Sequence, residues 1–270
     1  MNQKIKSRFK SILNWVSIIF VSLSIAIVLR VFFFEIYMIP SSSMEPALLP
    51  GDIIVVSKMS YGARVLKPVK FIKEKKIEYI RTKGWSSLKK GDIFVFNWPK
   101  YRTFADSGSS IYGACVVKRC YGMPGDHVLI KNEGSVDFHK DLNLFPFDST
   151  LGWSVDNYGP LYVPAKGEPI ELTKRNVIWY KDILRFENPG DHIEDSCLLT
   201  NEGKRILQYS FKHNYYFMMG DNFYGSEDSR FWGFVPDGNV IGKTGFVLIS
   251  LDPFADGFKK IRWNRIMKIL

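Results

Sequence analysis

Three serines stand in a row between a proline and a methionine in "PSSSMEPALLPGD", residues 40–52. A hydroxyl is a weak nucleophile at neutral pH until a neighbouring base takes its proton. Histidine is the usual base, but His127, His139, His192 and His213 are scattered without an arrangement that nominates any of them. Lysine is the other known partner of a catalytic serine, and "ACVVKRC" supplies Lys118 inside an apolar run. Strand alternation places Lys118 on one face with Val116 and Cys120, and Arg119 on the other. Lysine ordinarily titrates at about 10.4, so it must lose its hydration to serve as a neutral base. A lysine on a buried face is rare unless paired or functional; the plainer reading makes residues 116, 118 and 120 a partly wet face of an edge strand. A third polar cluster, Ser226 to Arg230, lies between bulky apolar runs in "MMGDNFYGSEDSRFWGFVP". It can orient a buried amine, or it can be a tight turn followed by an ordinary surface ion pair.

The elements that must position these groups are short and β-rich. "DIIVVSK", "GDIFVFNW", "ACVVKRCYG", "HVLIKN", "YYFMMGDN" and "GKTGFVLISL" are clusters of Val, Ile, Phe and Tyr bounded by Gly-Asp or Pro-Gly turns. A mainly β catalytic unit is expected over residues 35–270. Two stretches read as insertions into it. Residues 57–90 form a basic lobe in which "KFIKEKKIEYIR" is a helix or a long hairpin, and residues 133–213 form a polar, turn-rich side lobe. The carboxyl end, "FKKIRWNRIMKIL", suits a strand or short helix closing the core better than a helix lying on a membrane.

Ahead of this unit, residues 11–29 carry no charge, and "VFFF" continues the run after Arg30. Nineteen residues at helical rise span roughly 28 Å, about one hydrocarbon core. The preceding tail, residues 1–10, holds Lys4, Lys6, Arg8 and Lys10. Positive flanks stay cytoplasmic, so a single-pass anchor over residues 11–34 is expected, with the catalytic unit outside. A removable secretory leader cut near "SIA", residues 24–26, is the rival, but this apolar run is longer than a usual leader core.

The formal net charge is +10. Between Ser57 and Lys90, 11 Lys or Arg face only Glu74 and Glu78, so this segment holds most of the excess. Such a patch suits nucleic acid or an anionic membrane surface; beside the anchor, lipid is the expected partner and nucleic acid is not. Cys115, Cys120 and Cys197 make no disulfide framework, and the histidines lack ligand spacing, so no metal is expected.

With those places marked, the chain resembles the type I signal peptidase family of membrane-bound Ser/Lys proteases. "IPSSSMEPALLPGD" resembles the family's nucleophile box P-S-x-S-M-x-P-T-L-x-x-G-D, "GDIFVF" its following strand, and "VVKRCYGMPGD" its K-R-x-x-G-x-P-G-D box. "MMGDNFYGSEDSRFWGFVP" is similar to G-D-N-x-x-x-S-x-D-S-R-x-W-G. The resemblance implies a signal-peptidase or repressor-protease-like β fold with Ser43 as nucleophile and Lys118 as general base, and no cofactor. It further implies an oxyanion hole from the Ser43 N–H and the Ser41 hydroxyl, with Ser226 aiming the Lys118 amine and Asp221, Asp228 and Arg230 bracing the region. Tyr37, Ile39 and Met44 match positions lining shallow apolar pockets, and Pro40 sets the bend. Ser42 takes the variable position, and Ala47 stands where the box commonly has threonine. The implied substrate is a secretory preprotein with an Ala-x-Ala-like segment, cut at a bacterial inner membrane. The alternatives are a self-cleaving repressor-type protease, which would need a DNA-binding domain, and an inactive membrane-anchored binding protein.

Overall fold

A computed structural model describes residues 3–66, 79–86, 88–99, 114–131, 144–194 and 197–270 of the chain. An apolar helix, α1 (Gln3–Val28), passes through a π-helical turn (Leu29–Phe33) directly into strand β1 (Phe34–Met38). From Gln3 onward the expected basic tail is part of this helix. Among the described residues one helix is long and apolar enough to cross a membrane, Lys10–Phe33, with a mean hydropathy of 2.5.

Next come β2 (Asp52–Ser57), β3 (Arg64–Leu66), β4 (Tyr79–Arg81), β5 (Ile93–Asn97), β6 (Cys115–Gly122), β7 (His127–Lys131) and β8 (Asn157–Tyr162). Then follow β9 (Pro169–Glu171), helix α2 (Asn176–Glu187), β10 (His192–Glu194), β11 (Cys197–Leu199), β12 (Arg205–Ile206), β13 (Gln208–Ser210) and β14 (Tyr215–Met219). A short helix α3 (Ser229–Trp232), β15 (Val235–Pro236), β16 (Val240–Ser250) and β17 (Lys268–Ile269) complete the order. Each apolar run read as a strand is one: β2, β5, β6, β7, β14 and β16.

The main sheet has eight strands in the order β1-β2-β16-β5-β6-β14-β15, with β17 added to β16. Two register shifts along the β16–β2 ladder, at Thr244/Phe246 and Val247/Ile249, add local twist and curl the sheet. Strand β6 lies inside it, paired with β5 from Cys115 to Arg119 and with β14 at Arg119, Cys120 and Gly122. At Lys118 the described ladder is with β5 alone, and the reading corrected is that of a partly wet face, since Lys118 and Cys120 are buried. Lys118, Cys120 and Gly122 are buried, with Arg119 and Tyr121 half-buried between them.

Three apolar cores hold the sheet. Met44, Leu48, Ile54, Val56, Val95 and Val247 fill one, and Phe94, Phe96, Cys120, Met218 and Trp232 fill another. The third joins the side lobe to β14: Tyr158, Leu161, Tyr180 and Leu184 pack with Tyr215, Phe217 and Phe234. Within it the buried Glu187 carboxylate accepts bonds from the Tyr209 and Tyr215 hydroxyls and the Lys212 and His213 N–H groups, pinning α2 to the start of β14. The sequence reading of this lobe as turn-rich missed α2, whose apolar residues alternate with charges at helical spacing. In the basic lobe β3 and β4 pair antiparallel; residues 67–78, with most of "KFIKEKKIEYIR", lie outside the described residues.

The carboxyl end closes the sheet through β17 and Arg265, whose guanidinium grips the fully buried Asp52 carboxylate. Burial pushes that carboxyl up, but hydrogen bonds from Arg265, Ser250 and the Leu49 N–H outweigh it and hold it below its usual range. Its stabilising effect is complete at neutral pH and fades as pH falls through the lowered value. Arg265→Met, which strands the buried carboxylate, is expected to cost about 3–5 kcal/mol in urea unfolding at pH 7. A change within ~0.5 kcal/mol would mean the pair contributes nothing.

Candidate active site

The loop between β1 and β2 carries the serines. Its two ends are tied together, since Ile39 N–H bonds to the Asp52 carbonyl and Gly51 N–H to the Ile39 carbonyl. Gly51 has φ +89, and a side chain there would run into the Leu251 carbonyl, so glycine is required. Met44 and Leu48 peg the loop into the core, being 1% and 0% exposed. The serine turn is thus held from below, and Ser41 and Ser42 stay exposed on top of it.

Lys118 approaches from β6. Its side chain is 4% exposed, and Nζ donates to Ser43 Oγ at 2.7 Å. Burial pushes the amine below its ordinary value, and Arg230 adds to that, while Asp228, Glu227 and Asp221 pull it partly back. An amine whose charged form is disfavoured by burial and that lies in contact with a hydroxyl can, once neutral, take its proton. Ser41 Oγ lies 3.4 Å from Ser43 Oγ, and the Ser43 N–H donates to no group among the described residues.

The third element follows β14, whose pairing with β6 at Met219↔Arg119 carries its end past Lys118. Asp228 caps α3 and also accepts the Gly220 N–H at 3.0 Å. Arg230 holds both Asp228 oxygens and the Phe223 carbonyl, with its guanidinium 4.2 Å from the centre of the Phe223 ring. Asp221 is bound through both oxygens by Arg119, at 2.6 Å each. The loop from Gly220 to Phe223 is therefore fixed at three points.

The structure brings Ser43, Lys118 and Ser41 together and sets Asp221, Asp228 and Arg230 around them as loop braces. Ser226 is buried beside Gly220, yet its Oγ has no hydrogen-bond partner among the described residues, so the expected bond to the Lys118 amine is not made. Its hydroxyl lies over the Gly220 Cα instead, on the side of the Ser43 carbonyl. Of the expected pocket residues, Ile39 and Met44 are core groups beneath the loop, Tyr37 is half-buried on β1, and Pro40 is exposed. Burial, followed by the Cys115 thiol and Glu35, raises the Tyr37 phenol far above its usual value. This places β1 against the start of β6.

Sequence reasoning passed over Asn222, although "GDN" was in view. Its N–H donates to the Ser43 carbonyl at 3.2 Å and its side-chain amide to the Ser42 carbonyl at 3.3 Å. Gly220 was also missed: a Cβ there would strike Ser226 and the Ser43 carbonyl. Neither role has a spacing signature, because each depends on contact between distant loops.

Comparison with known proteins follows the same residues. The profile of the family described as signal peptidase, peptidase S26, matches residues 12–139 and 168–249. Signal peptidase I of Buchnera aphidicola subsp. Baizongia pistaciae is 30% identical over 276 residues, covering 92% of this chain and 80% of that protein. Signal peptidase I of Haemophilus influenzae is 28% identical over 278 residues, 94% of this chain and 76% of the relative. For signal peptidase I of Helicobacter pylori strain J99 the values are 30% over 284 residues, 91% and 89%.

Two outcomes are expected from this geometry. Peptide hydrolysis should rise with pH as Lys118 loses its proton, with a midpoint below the ordinary lysine value, and Glu227→Gln should move that midpoint further down. An unmoved midpoint would separate Glu227 from the amine. Asn222→Ala should lower kcat about ten-fold with little change in KM, because it loosens the serine turn without touching bound substrate. An equal rise in KM would place Asn222 on the substrate instead.

Proposed function

This chain belongs to the signal peptidase family, peptidase S26, and we infer that Ser43 and Lys118 are the pair with which it removes signal peptides from preproteins. It is a membrane-anchored serine endopeptidase. The observation that carries the assignment is the 2.7 Å contact between a buried lysine and a serine on a loop locked at both ends.

The neutral Lys118 amine takes the Ser43 proton as Oγ bonds to the scissile carbonyl carbon. Negative charge then develops on the carbonyl oxygen, where the Ser43 N–H and Ser41 hydroxyl stand ready as donors. Lys118 gives the proton to the leaving amine as the C–N bond breaks, leaving an acyl-enzyme on Ser43. Water attacks that ester, and Lys118 takes the water's proton and passes it to Ser43 Oγ as the ester C–O bond breaks and the new carboxyl end departs. Ser226, whose buried hydroxyl has no partner among the described residues, would have to turn away from Gly220 to accept a bond from the ammonium.

The substrate presents an extended segment with small residues before the cut. Among the described residues strand β1 pairs with β2 alone, which gives one edge, and the β14 ladder on β6 begins at Arg119, which gives another before it. A substrate strand added between these edges would lie against Ser43, with backbone bonds giving affinity and close walls near Tyr37 excluding bulk.

We place the anchor at residues 11–34 as a single span, with residues 1–10 cytoplasmic, residues 35–270 outside, and a bacterial inner membrane as host. The lysines and arginine of the tail support this orientation, as does the bacterial origin of the relatives. An anionic lipid surface is the second partner. Phe254, Phe258 and Ile269 are 94%, 89% and 83% exposed, among Lys259, Lys260 and Lys268.

The test is cleavage of a preprotein with an Ala-x-Ala segment by the full chain in lipid nanodiscs. Wild type should cut after that segment and Ser43→Ala should not; cutting by both would move the nucleophile elsewhere. Anionic discs should speed wild type at low salt, and replacing Lys259, Lys260 and Lys268 by Gln should remove that gain. Its persistence would refute the lipid contact.

A further inference from the structure

The basic stretch from residue 57 to 90 begins with a lysine that behaves unlike a solvated surface charge. Lys58 has a side chain 13% exposed; its Nζ is paired with Glu35 Oε2 at 2.7 Å and donates to the Arg30 carbonyl at 2.9 Å. Its backbone N–H donates to the Phe33 carbonyl at 2.8 Å. Arg30 and Phe33 lie in the π-helical turn that ends the membrane span, where helical carbonyls lose their partners and a cation is favoured. Glu35 is on β1 and Lys58 follows β2. One side chain therefore joins the end of the span, the edge strand and the second strand of the catalytic sheet.

No linker separates span from sheet. The Phe34 N–H bonds back to the Leu29 carbonyl, and from Phe34 the chain is laddered to β2 as far as Met38. Ser43 stands nine residues beyond Phe34, at most roughly 30 Å away. On a lever of that length, a tilt of about 20° at the span exit would move the serine by about 10 Å, or about three extended residues.

We propose that Lys58 is a specificity-determining residue: by locking the span to the catalytic sheet it fixes the height of Ser43 above the bilayer, and so decides which of several chemically equal sites in a tethered preprotein is cut. This rests on the reading that Ser43 cleaves preproteins held by their own apolar helix. Local side-chain fit cannot make that choice when two sites have the same residues; a fixed height can. Lys58 touches neither substrate nor the reacting atoms and acts through the orientation of the domain.

The experiment uses the full chain in liposomes and a preprotein with two identical Ala-x-Ala segments about four residues, roughly 13 Å, apart. Product termini are read by mass spectrometry. Wild type should prefer one site by about ten-fold or more, Lys58→Met should cut both within about two-fold, and Lys58→Arg, which keeps the cation, should restore the preference. A short detergent-soluble peptide should be hydrolysed equally by all three proteins. Lys58→Met that keeps the wild-type preference, or wild type that cuts both sites alike, would overturn the proposal. So would loss of peptide hydrolysis in Lys58→Met, which would make the residue a support of the fold. Wild type cutting neither site while Ser43→Ala matches it would refute the underlying reading instead.

Discussion

An ammonium ion cannot take a proton, so a Ser/Lys pair works only if the lysine is kept from holding one. Everything around Lys118 bears on that requirement. Strand β6 carries the Lys118 side chain into the molecule, 4% exposed, where charge is poorly solvated. The contact with Ser43 Oγ then depends on a loop that cannot drift: Gly51 packs on a backbone carbonyl, Asp52 is held by Arg265, and Met44 and Leu48 are sunk in the core. A shift of an ångström in that loop would separate base from nucleophile and leave a buried, idle amine.

The carboxylates nearby would defeat this arrangement if they were free. Asp221, Asp228 and Glu227 all favour the charged form of Lys118. Asp221 is taken through both oxygens by Arg119, and Asp228 is taken the same way by the fully buried Arg230. These arginines let the acids order the loop after β14 without turning Lys118 into an ion pair. Glu227 has no such guanidinium partner among the described residues and is exposed, where water weakens its field.

The sequence displayed the dyad because its neighbours are distinctive: an apolar run around Lys118 and a serine turn after an apolar span. Six strands were legible for the same reason, as dense β-branched and aromatic runs between glycine turns. Less legible was whatever depends on contact between remote segments. Asn222 clamping the Ser42 and Ser43 carbonyls joins positions 180 apart in the chain, and Lys58 capping the Arg30 carbonyl joins positions 28 apart. Helix α2 was hidden in a lobe whose polar composition reads as turns, because its buried face is narrow and packs on β14. Ser226 shows the opposite limit: its motif position pointed to the lysine, while its hydroxyl rests over Gly220 without a partner.

The span and the sheet share one continuous backbone, so the serine's chemistry and its distance from the membrane are parts of a single rigid design. The claim on which it rests is that the Lys118 amine is neutral in the working enzyme. The most direct measurement is a titration of the Lys118 side chain itself, by carbon NMR of labelled lysine in the detergent-solubilised full chain, assigned with Lys118→Met. The account predicts a pKa below the ordinary lysine value that coincides with the rising limb of kcat/KM. A Lys118 that titrates at the ordinary value of about 10.4, while the enzyme is fully active at neutral pH, would contradict it.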